Sequence, residues 1–290
     1  MKTTLIILSF FCGVFTLFSA PSSVPDEHGW KLVWSDEFDI DGAPDPRNWH
    51  YEYTGFLRNK EEQWYTDSSD NIFVKDGMLH IVARLEKEPK PNPWYKEGSA
   101  DWKKKRKFIE ITSAGLISRG KREFKYGRIV MCAKMPKGQG VWPAFWTIGT
   151  DPNHKNWPDS GEIDIVEYIG KNPHRKSWMQ GAMHWKSPEG KYRQKNGKFQ
   201  ILEDLTENFH LYGIEWDEQK VDFFVDDRVF LSVPIEQCGN VQYNAFRSPH
   251  FLLLNLAVGG TLGGKVDRSC LPAEYLIDYV RVYQKAESKN

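Results

Sequence analysis

The stretch Gly161-Glu-Ile-Asp-Ile-Val-Glu-Tyr-Ile169 alternates acidic and apolar residues, and its spacing decides how this part of the chain folds. In an extended strand, residues two apart share a face. Glu162 and Asp164 therefore point to one side, while the isoleucines beside them point into the packing behind. The pattern predicts a strand with one buried face and one acidic face.

Glu167 breaks this alternation, because it lies five residues after Glu162 and would fall on the opposite face of a regular strand. One inserted residue at Ile165 or Val166 would form a β-bulge and return Glu167 to the acidic face. The spacing therefore predicts a bulged strand on which three carboxyl groups converge.

Crowded carboxyl groups are electrostatically costly, since like charges a few ångströms apart raise at least one pKa. A solvated strand face would tolerate them, but the neighbouring aromatics favour a cleft: Trp142-Pro-Ala-Phe-Trp146, Trp157 and His184-Trp185. Flat rings stack on the apolar faces of a sugar. One protonated and one ionised carboxyl are the groups that glycoside hydrolysis uses.

Longer motifs resemble glycoside hydrolase family 16, in the branch of bacterial laminarinases and endo-β-1,3(4)-glucanases. The resemblance rests first on residues 127–146, on Trp157-Pro158 and on the acidic stretch. Further matches cover roughly residues 30 to 284: Trp34-Ser-Asp-Glu-Phe38, Asn59-Lys-Glu-Glu-Gln-Trp-Tyr-Thr66, Gly181-Ala-Met-His-Trp185, Phe209-His-Leu-Tyr-Gly-Ile-Glu-Trp216, Phe251-Leu-Leu-Leu-Asn-Leu-Ala-Val-Gly-Gly260 and Ile277-Asp-Tyr-Val-Arg-Val-Tyr283.

The resemblance implies a role for each acidic residue. Glu162 matches the nucleophile, Asp164 the assisting acid and Glu167 the general acid/base of a retaining double displacement. No cofactor is expected for catalysis. The implied substrate is a β-glucan, either laminarin-type or mixed-linkage.

Substrate contacts are expected from the aromatic and polar residues around the acids. Trp142 and Trp146 match stacking positions, Asn59 and His184 match polar groups of the groove, and Trp185 follows His184 directly. The chain departs from the family at Lys60, where a second asparagine is common. It also lacks the usual tryptophan and proline in residues 261–265.

The resemblance also implies a structural calcium ion. Glu37, Gly77 and Asp278 stand where its ligands would be expected. Carboxylate and carbonyl oxygens are the ligands that calcium prefers.

Most of the chain reads as short strands, which predicts an all-β fold. Residues 72–83 indicate two strands around an Asp76-Gly77 turn, and residues 220–233 a hairpin at Asp226-Asp227. Residues 86–107, with three prolines and a basic run, predict an exposed loop. The family resemblance sharpens this to a two-sheet β-jelly-roll sandwich with a substrate groove on the concave sheet.

The first twenty residues read as a secretion signal peptide, because Lys2 precedes a mostly apolar run that ends at Ser19-Ala20. Residues 21–290 are predicted to form a single catalytic domain in a secreted or periplasmic protein. A lipid anchor at Cys12 is the alternative. In an exported protein, Cys238 and Cys270 could form a disulfide.

The 39 basic and 39 acidic side chains cancel, so no net field would attract nucleic acid or an anionic membrane. No transmembrane segment is predicted, and the protein is expected to be a monomer. Two other functions remain: hydrolysis of marine galactans (agar, porphyran or carrageenan), and sugar binding without catalysis. The non-catalytic protein would need the tryptophans but not two glutamates flanking an aspartate.

Overall fold

The computed structural model describes residues 29–154, 156–171, 178–199, 204–239 and 243–285. The predicted signal peptide and Cys12 lie outside these ranges. Within them the chain forms eighteen strands: β1 Trp30–Asp36, β2 His50–Tyr51, β3 Gln63–Tyr65, β4 Ile72–Lys75, β5 Met78–Pro91, β6 Phe108–Ser113, β7 Gly115–Ile117, β8 Glu123–Phe124, β9 Gly127–Lys134, β10 Val141–Gly149, β11 Glu162–Ile169, β12 Trp178–Lys186, β13 Tyr192–Phe199, β14 His210–Trp216, β15 Lys220–Val225, β16 Arg228–Pro234, β17 His250–Val258 and β18 Ala273–Lys285.

The helices of the described chain are single turns. The α-helical ones are α1 Trp102–Lys105 and α2 Gly260–Gly263, and the 3-10 turns are Ile235–Gln237, Ala245–Arg247 and Arg268–Cys270. In the described ranges, none of these helices has the length and apolar character needed to cross a membrane.

The strands form two sheets. The outer sheet has the order β16-β15-β14-β9-β18-β5-β6-β3, with β1 also paired to β18 and β4 to β5. The cleft sheet has the order β13-β12-β11-β10-β17-β7-β2, with β8 also paired to β17. This is the predicted two-sheet jelly-roll sandwich.

One large apolar core lies between the sheets. Met131 of β9 and Val280 of β18 contribute from the outer sheet, and Ile163 of β11 and Leu254 of β17 from the cleft sheet. All four are essentially inaccessible to solvent. Alternate residues of the cleft-sheet strands therefore face the core, and the residues between them face the opposite surface.

Both predicted hairpins are confirmed. β4 and β5 are joined at Asp76-Gly77, and β15 and β16 at Asp226-Asp227. Gly77 has φ +74°, a left-handed conformation that glycine adopts without steric cost.

The predicted loop over residues 86–107 is wrong in part. β5 continues to Pro91 and pairs with β6 across an irregularity, so the chain stays extended through two of the three prolines. Trp94 and Trp102 pack with Phe56 and Trp64 in a small separate aromatic cluster. Burial of these rings holds the segment against the outer sheet instead of leaving it solvated.

Candidate active site

The bulge in β11 is visible in its pairing with β10. Trp146 lies opposite Asp164 and Phe145 opposite Val166, so Ile165 has no partner on that strand. The register shifts between Asp164 and Glu167 on the β12 side as well. The predicted bulge is confirmed.

Burial of the bulged residues explains why it forms. Ile165 and Val166 are both fully buried in the main core. Two consecutive apolar side chains on the core side leave the next residue, Glu167, on the same side as Asp164. A regular strand would have buried the Glu167 carboxylate in apolar packing.

A single cleft over the cleft sheet collects the acidic residues. It is lined by Arg58, Asn59, Glu61, Trp142, Ala144, Trp146, Ile148, Trp157, Glu162, Asp164, Glu167, Asn255 and Ala257. All three predicted catalytic residues and three of the five predicted substrate contacts are therefore in one place. The β10 members are spaced two apart, as expected for one face of a strand.

His184 of β12 lies beside the first two acids of the neighbouring strand β11. Its Nε2 is 2.8 Å from Asp164 Oδ2 and 3.9 Å from Glu162 Oε1. These ligand-type atoms lie within 4.8 Å of one another, a spacing that could hold a metal ion. The ion-pair contact between His184 and Asp164 accounts for this proximity without an ion.

Glu167 is held by two N–H donors. Trp142 Nε1 donates to Glu167 Oε1 at 3.0 Å, and Gln180 Nε2 donates to Oε2 at 2.6 Å. Both carboxyl oxygens are thereby fixed in direction toward the cleft.

Burial dominates the electrostatics of the three carboxyls. It raises the pKa of Glu162 and of Asp164 well above their ordinary values, and the mutual proximity of the acids adds to the effect. Burial also raises the pKa of Glu167, although its hydrogen bonds to Gln180 and Trp142 oppose the shift. The cluster therefore retains protons more readily than isolated carboxylates do.

The two tryptophans that line the cleft are themselves anchored. Trp146 Nε1 donates to Asn255 Oδ1 at 2.7 Å, and the Arg58 guanidinium lies 4.9 Å from the Trp146 ring centroid. Both indoles are largely buried, so each presents only one part of its surface to a ligand.

The prediction that Trp185 contacts substrate is wrong. Trp185 belongs to the main core and packs edge-on against Phe246. Because adjacent strand residues face opposite sides, the His184 side chain faces the acids and the Trp185 side chain must point into the sandwich.

A buried polar network beneath the cleft was missed in the sequence. Arg58 Nη2 donates to Glu52 Oε1 at 2.5 Å, and Gln63 Nε2 donates to Glu61 Oε2 at 2.7 Å. Burial raises the pKa of Glu61 to about 7, against the lowering influence of Arg58. These residues reach the cleft through tertiary pairing, since Glu61 forms a bridge with Gly259.

The calcium prediction involves residues on the outer sheet. Arg281 donates to both oxygens of the Glu37 carboxylate, at 2.9 and 2.7 Å, so that carboxylate is already neutralised. Burial raises the pKa of Asp278, which also contacts Cys132. Calcium binding at Glu37, Gly77 and Asp278 stays a prediction, with carboxylate and carbonyl oxygens as the expected ligands.

Cys238 and Cys270 do not form a disulfide in the structure. Cys238 is a buried free thiol beside Pro234, and Cys270 is a partly exposed free thiol beside Asp267 and Gln139.

A jelly-roll sandwich whose aromatic-lined cleft brings together three carboxyls is the architecture of a glycoside hydrolase. Comparison with known proteins agrees. The model of glycosyl hydrolases family 16 matches residues 60–281. A β-glucanase from Rhodothermus marinus is 37% identical over 298 residues, which cover 99% of this chain and 96% of the relative. The chain belongs to glycosyl hydrolases family 16.

Two solved structures have the same fold. The laminarinase from Rhodothermus marinus superposes with a TM-score of 0.73 at 38% identity, covering 89% of this chain and 98% of that one. The second structure superposes with a TM-score of 0.80 at 35% identity, covering 91% of this chain and 94% of that one. It comes from work on the endo-acting O-glycanases that prominent members of the human gut microbiota express to initiate mucin breakdown.

Proposed function

We propose that the protein is a secreted endo-β-1,3(4)-glucanase that cleaves laminarin-type or mixed-linkage β-glucan with retention of configuration. The observation that carries the proposal is the β11 bulge, which places Glu162, Asp164 and Glu167 in one cleft beside Trp142 and Trp146. The relatives with glucanase and laminarinase names support the substrate class.

In the first step, a Glu162 carboxylate oxygen attacks the anomeric carbon while Glu167 gives its proton to the leaving glycosidic oxygen. The glycosidic C–O bond breaks, a glycosyl-ester bond to Glu162 forms, and the leaving chain departs as an alcohol. In the second step, Glu167 removes a proton from water, whose oxygen attacks the same carbon and releases Glu162. Two inversions give net retention.

The neighbouring side chains suit these roles. Trp142 and Gln180 orient Glu167 through its two oxygens. Asp164 and His184 lie beside Glu162, where the imidazole favours the ionised nucleophile. The Trp146 indole, held by Asn255, supplies an apolar surface for a sugar ring.

Export through the segment 1–20 is part of the proposal and rests on its charge and apolar pattern. Mass spectrometry of the exported protein would test it. A mature N-terminus near Pro21 is expected, whereas a diacylated N-terminal Cys12 would indicate the lipid-anchored alternative.

Incubation with laminarin, barley β-glucan and agarose in parallel tests the substrate proposal. We expect oligosaccharides of several lengths early in the digestion of laminarin or barley glucan, and none from agarose. If the wild-type protein has the circular-dichroism spectrum of a folded protein but does not hydrolyse either β-glucan, the proposal is contradicted.

A mucin O-glycan is the second candidate substrate. It is favoured by the O-glycanase structure, whose TM-score of 0.80 exceeds the 0.73 of the laminarinase. The residues after Gly260 also depart from the glucanase pattern, and Leu262 there packs beside Trp142. Porcine gastric mucin O-glycans belong in the same assay, and release of oligosaccharides from them alone would favour this substrate.

A further inference from the structure

Edge strand β13 places two polar side chains beside the catalytic cluster. Across the cleft sheet, Glu162 lies opposite His184, and His184 lies opposite Gln194. Tyr192 is two residues before Gln194 and shares its face. Glu162, His184 and Gln194 therefore form a polar row across the cleft sheet, and Tyr192 lies beside Gln194 on the same face.

The hydrogen bonds along this row have defined directions. The Tyr192 hydroxyl donates to Gln194 Oε1 at 2.7 Å. Tyr192 Oη is also 2.7 Å from His184 Nδ1, and its one hydrogen is already directed to Gln194. With the Gln194 amide oxygen facing Tyr192, Tyr192 Oη accepts a hydrogen bond from His184 Nδ1–H.

The phenol keeps its proton under working conditions. Burial and the nearby acids Glu162, Asp164 and Glu167 raise the pKa of Tyr192 above its ordinary value. Tyr192 thus remains a donor to Gln194 and an acceptor from His184.

Protonation of Nδ1 determines what Nε2 does. With the proton on Nδ1, the neutral imidazole leaves Nε2 bare, as an acceptor for a proton held on a neighbouring carboxyl. Nε2 lies 2.8 Å from Asp164 Oδ2 and 3.9 Å from Glu162 Oε1, so it is next to both carboxyls.

We infer that Tyr192 is a positioning residue of the hydrolytic reaction: with Gln194, it fixes the ring orientation and Nδ1–H form of His184, so that Nε2 serves the Asp164–Glu162 pair. The inference rests on the proposed function, in which Glu162 is the nucleophile. Tyr192 acts through His184 and not on the scissile bond.

Several other groups lie around His184. The Trp157 ring lies 6.4 Å from the imidazole and 5.2 Å from the Tyr192 ring. The titratable and charged groups that surround it are Glu162, Asp164 and Glu167 from β11, Tyr192 from β13, Lys186 from β12, Asp159 from the preceding loop and Arg58 across the cleft.

Tyr192→Phe tests the inference, with Tyr283→Phe on the outer sheet as the matched control. The ring of Tyr192 is preserved and 44% of the side chain is exposed, so we expect a folded variant. The expected effect is a fall in kcat of about tenfold, the scale of one hydrogen bond to a charged group, with KM changed less than about twofold.

The pH profile separates positioning from general loss of stability. Burial and Asp164 raise the pKa of Glu162, while His184 lowers it. Loosening His184 weakens this lowering, so the acid limb of kcat/KM should move to higher pH in Tyr192→Phe. Gln194→Leu removes the acceptor of the Tyr192 proton. It should move the acid limb of kcat/KM to higher pH as well, but less far than Tyr192→Phe does.

Nitrogen-15 NMR of the imidazoles tests the tautomer without any substrate. We expect His184 Nδ1 to be protonated in the wild type, with the assignment made by the loss of its signals in His184→Asn. A bare Nδ1 in the wild type, or unchanged kcat and acid limb in Tyr192→Phe, would overturn the inference. So would a change confined to KM, which would make Tyr192 a substrate contact. If the wild type hydrolyses no β-glucan, the proposed function fails while the NMR result still stands.

Discussion

At the scale of single residues, each carboxyl of the cleft has its own set of neighbours. Asp164 pairs with His184, Glu167 accepts from two N–H groups, and Glu162 lies beside Asp164 and 3.9 Å from the imidazole. Three chemically identical groups can thus perform different tasks, because hydrogen bonds and burial separate their protonation behaviour.

The two glutamates should respond differently to substitution. Glu162→Gln keeps the shape but supplies no nucleophilic oxygen, so we expect activity below about 1% of wild type with an unchanged melting temperature.

Glu167→Ala should also be inactive on polysaccharide, yet azide or formate should restore turnover of an activated aryl glycoside, whose leaving group needs no proton. Rescue at Glu162 instead, with inverted product, would exchange the two roles.

Trp142 is predicted to tune the acid/base. Its N–H hydrogen bond opposes the burial that raises the pKa of Glu167. Trp142→Phe should therefore raise that pKa further and move the alkaline limb of kcat/KM to higher pH. Trp216→Phe is the matched control, because it loses a buried indole hydrogen bond to Phe246 on the far side of the core. An alkaline limb that stays in place in Trp142→Phe would contradict this role.

Glu61 should make stability depend on pH. Its folded pKa is raised to about 7 by burial, above the ordinary value of 4.5. Below both pKa values, Glu61 is protonated in the folded and in the unfolded chain, so its titration does not change the free energy of unfolding. As pH rises through this window, the unfolded chain ionises first, so the native state loses stability by up to about 3 kcal/mol.

Urea unfolding of the wild type and Glu61→Gln measures this effect. The variant should gain stability relative to wild type between about pH 4.5 and 7.5, because glutamine can still accept from Gln63 but cannot ionise. If the difference in the free energy of unfolding between the two proteins does not vary with pH across this window, the raised pKa of Glu61 is contradicted.

At the scale of elements, the bulged strand β11 and the edge strand β13 illustrate what the sequence can predict. The bulge was predictable because three acids and four aliphatic residues within nine positions fit only one arrangement of faces. The error at Trp185 was avoidable, since adjacent strand residues cannot both face the cleft. Tyr192 was not predictable, because its approach to His184 depends on the register of β12 with β13.

Deleting a single residue tests the bulge. Deletion of Val166 converts the acids to strict alternation, with all three still on the cleft face. We expect a folded, less stable protein that retains measurable hydrolysis. Deletion of Ile163 also removes one buried aliphatic residue, but it puts Glu162 and Asp164 on opposite faces and should abolish activity. Equal inactivity of the two folded variants would contradict the account of the bulge.

At the scale of the whole molecule, the cleft is assembled from distant parts of the chain. Asn255 of β17 binds Trp146 of β10, and Asn59 and Glu61 reach the cleft beside Gly259. Family motifs identified most of these positions. The sequence alone does not place Arg58 and Gln180 in the cleft, because only the folded sandwich brings them against Trp146 and Glu167.

The configuration of the first product tests the central claim most directly. If Glu162 and Glu167 lie on the same face at the separation of a retaining enzyme, about 5–5.5 Å between carboxyls, laminarin hydrolysis must pass through a glycosyl ester. Proton NMR during the first minutes of digestion should then show the β-anomer of the new reducing end, followed by slow mutarotation. Initial appearance of the α-anomer would require direct attack by water and would contradict the account.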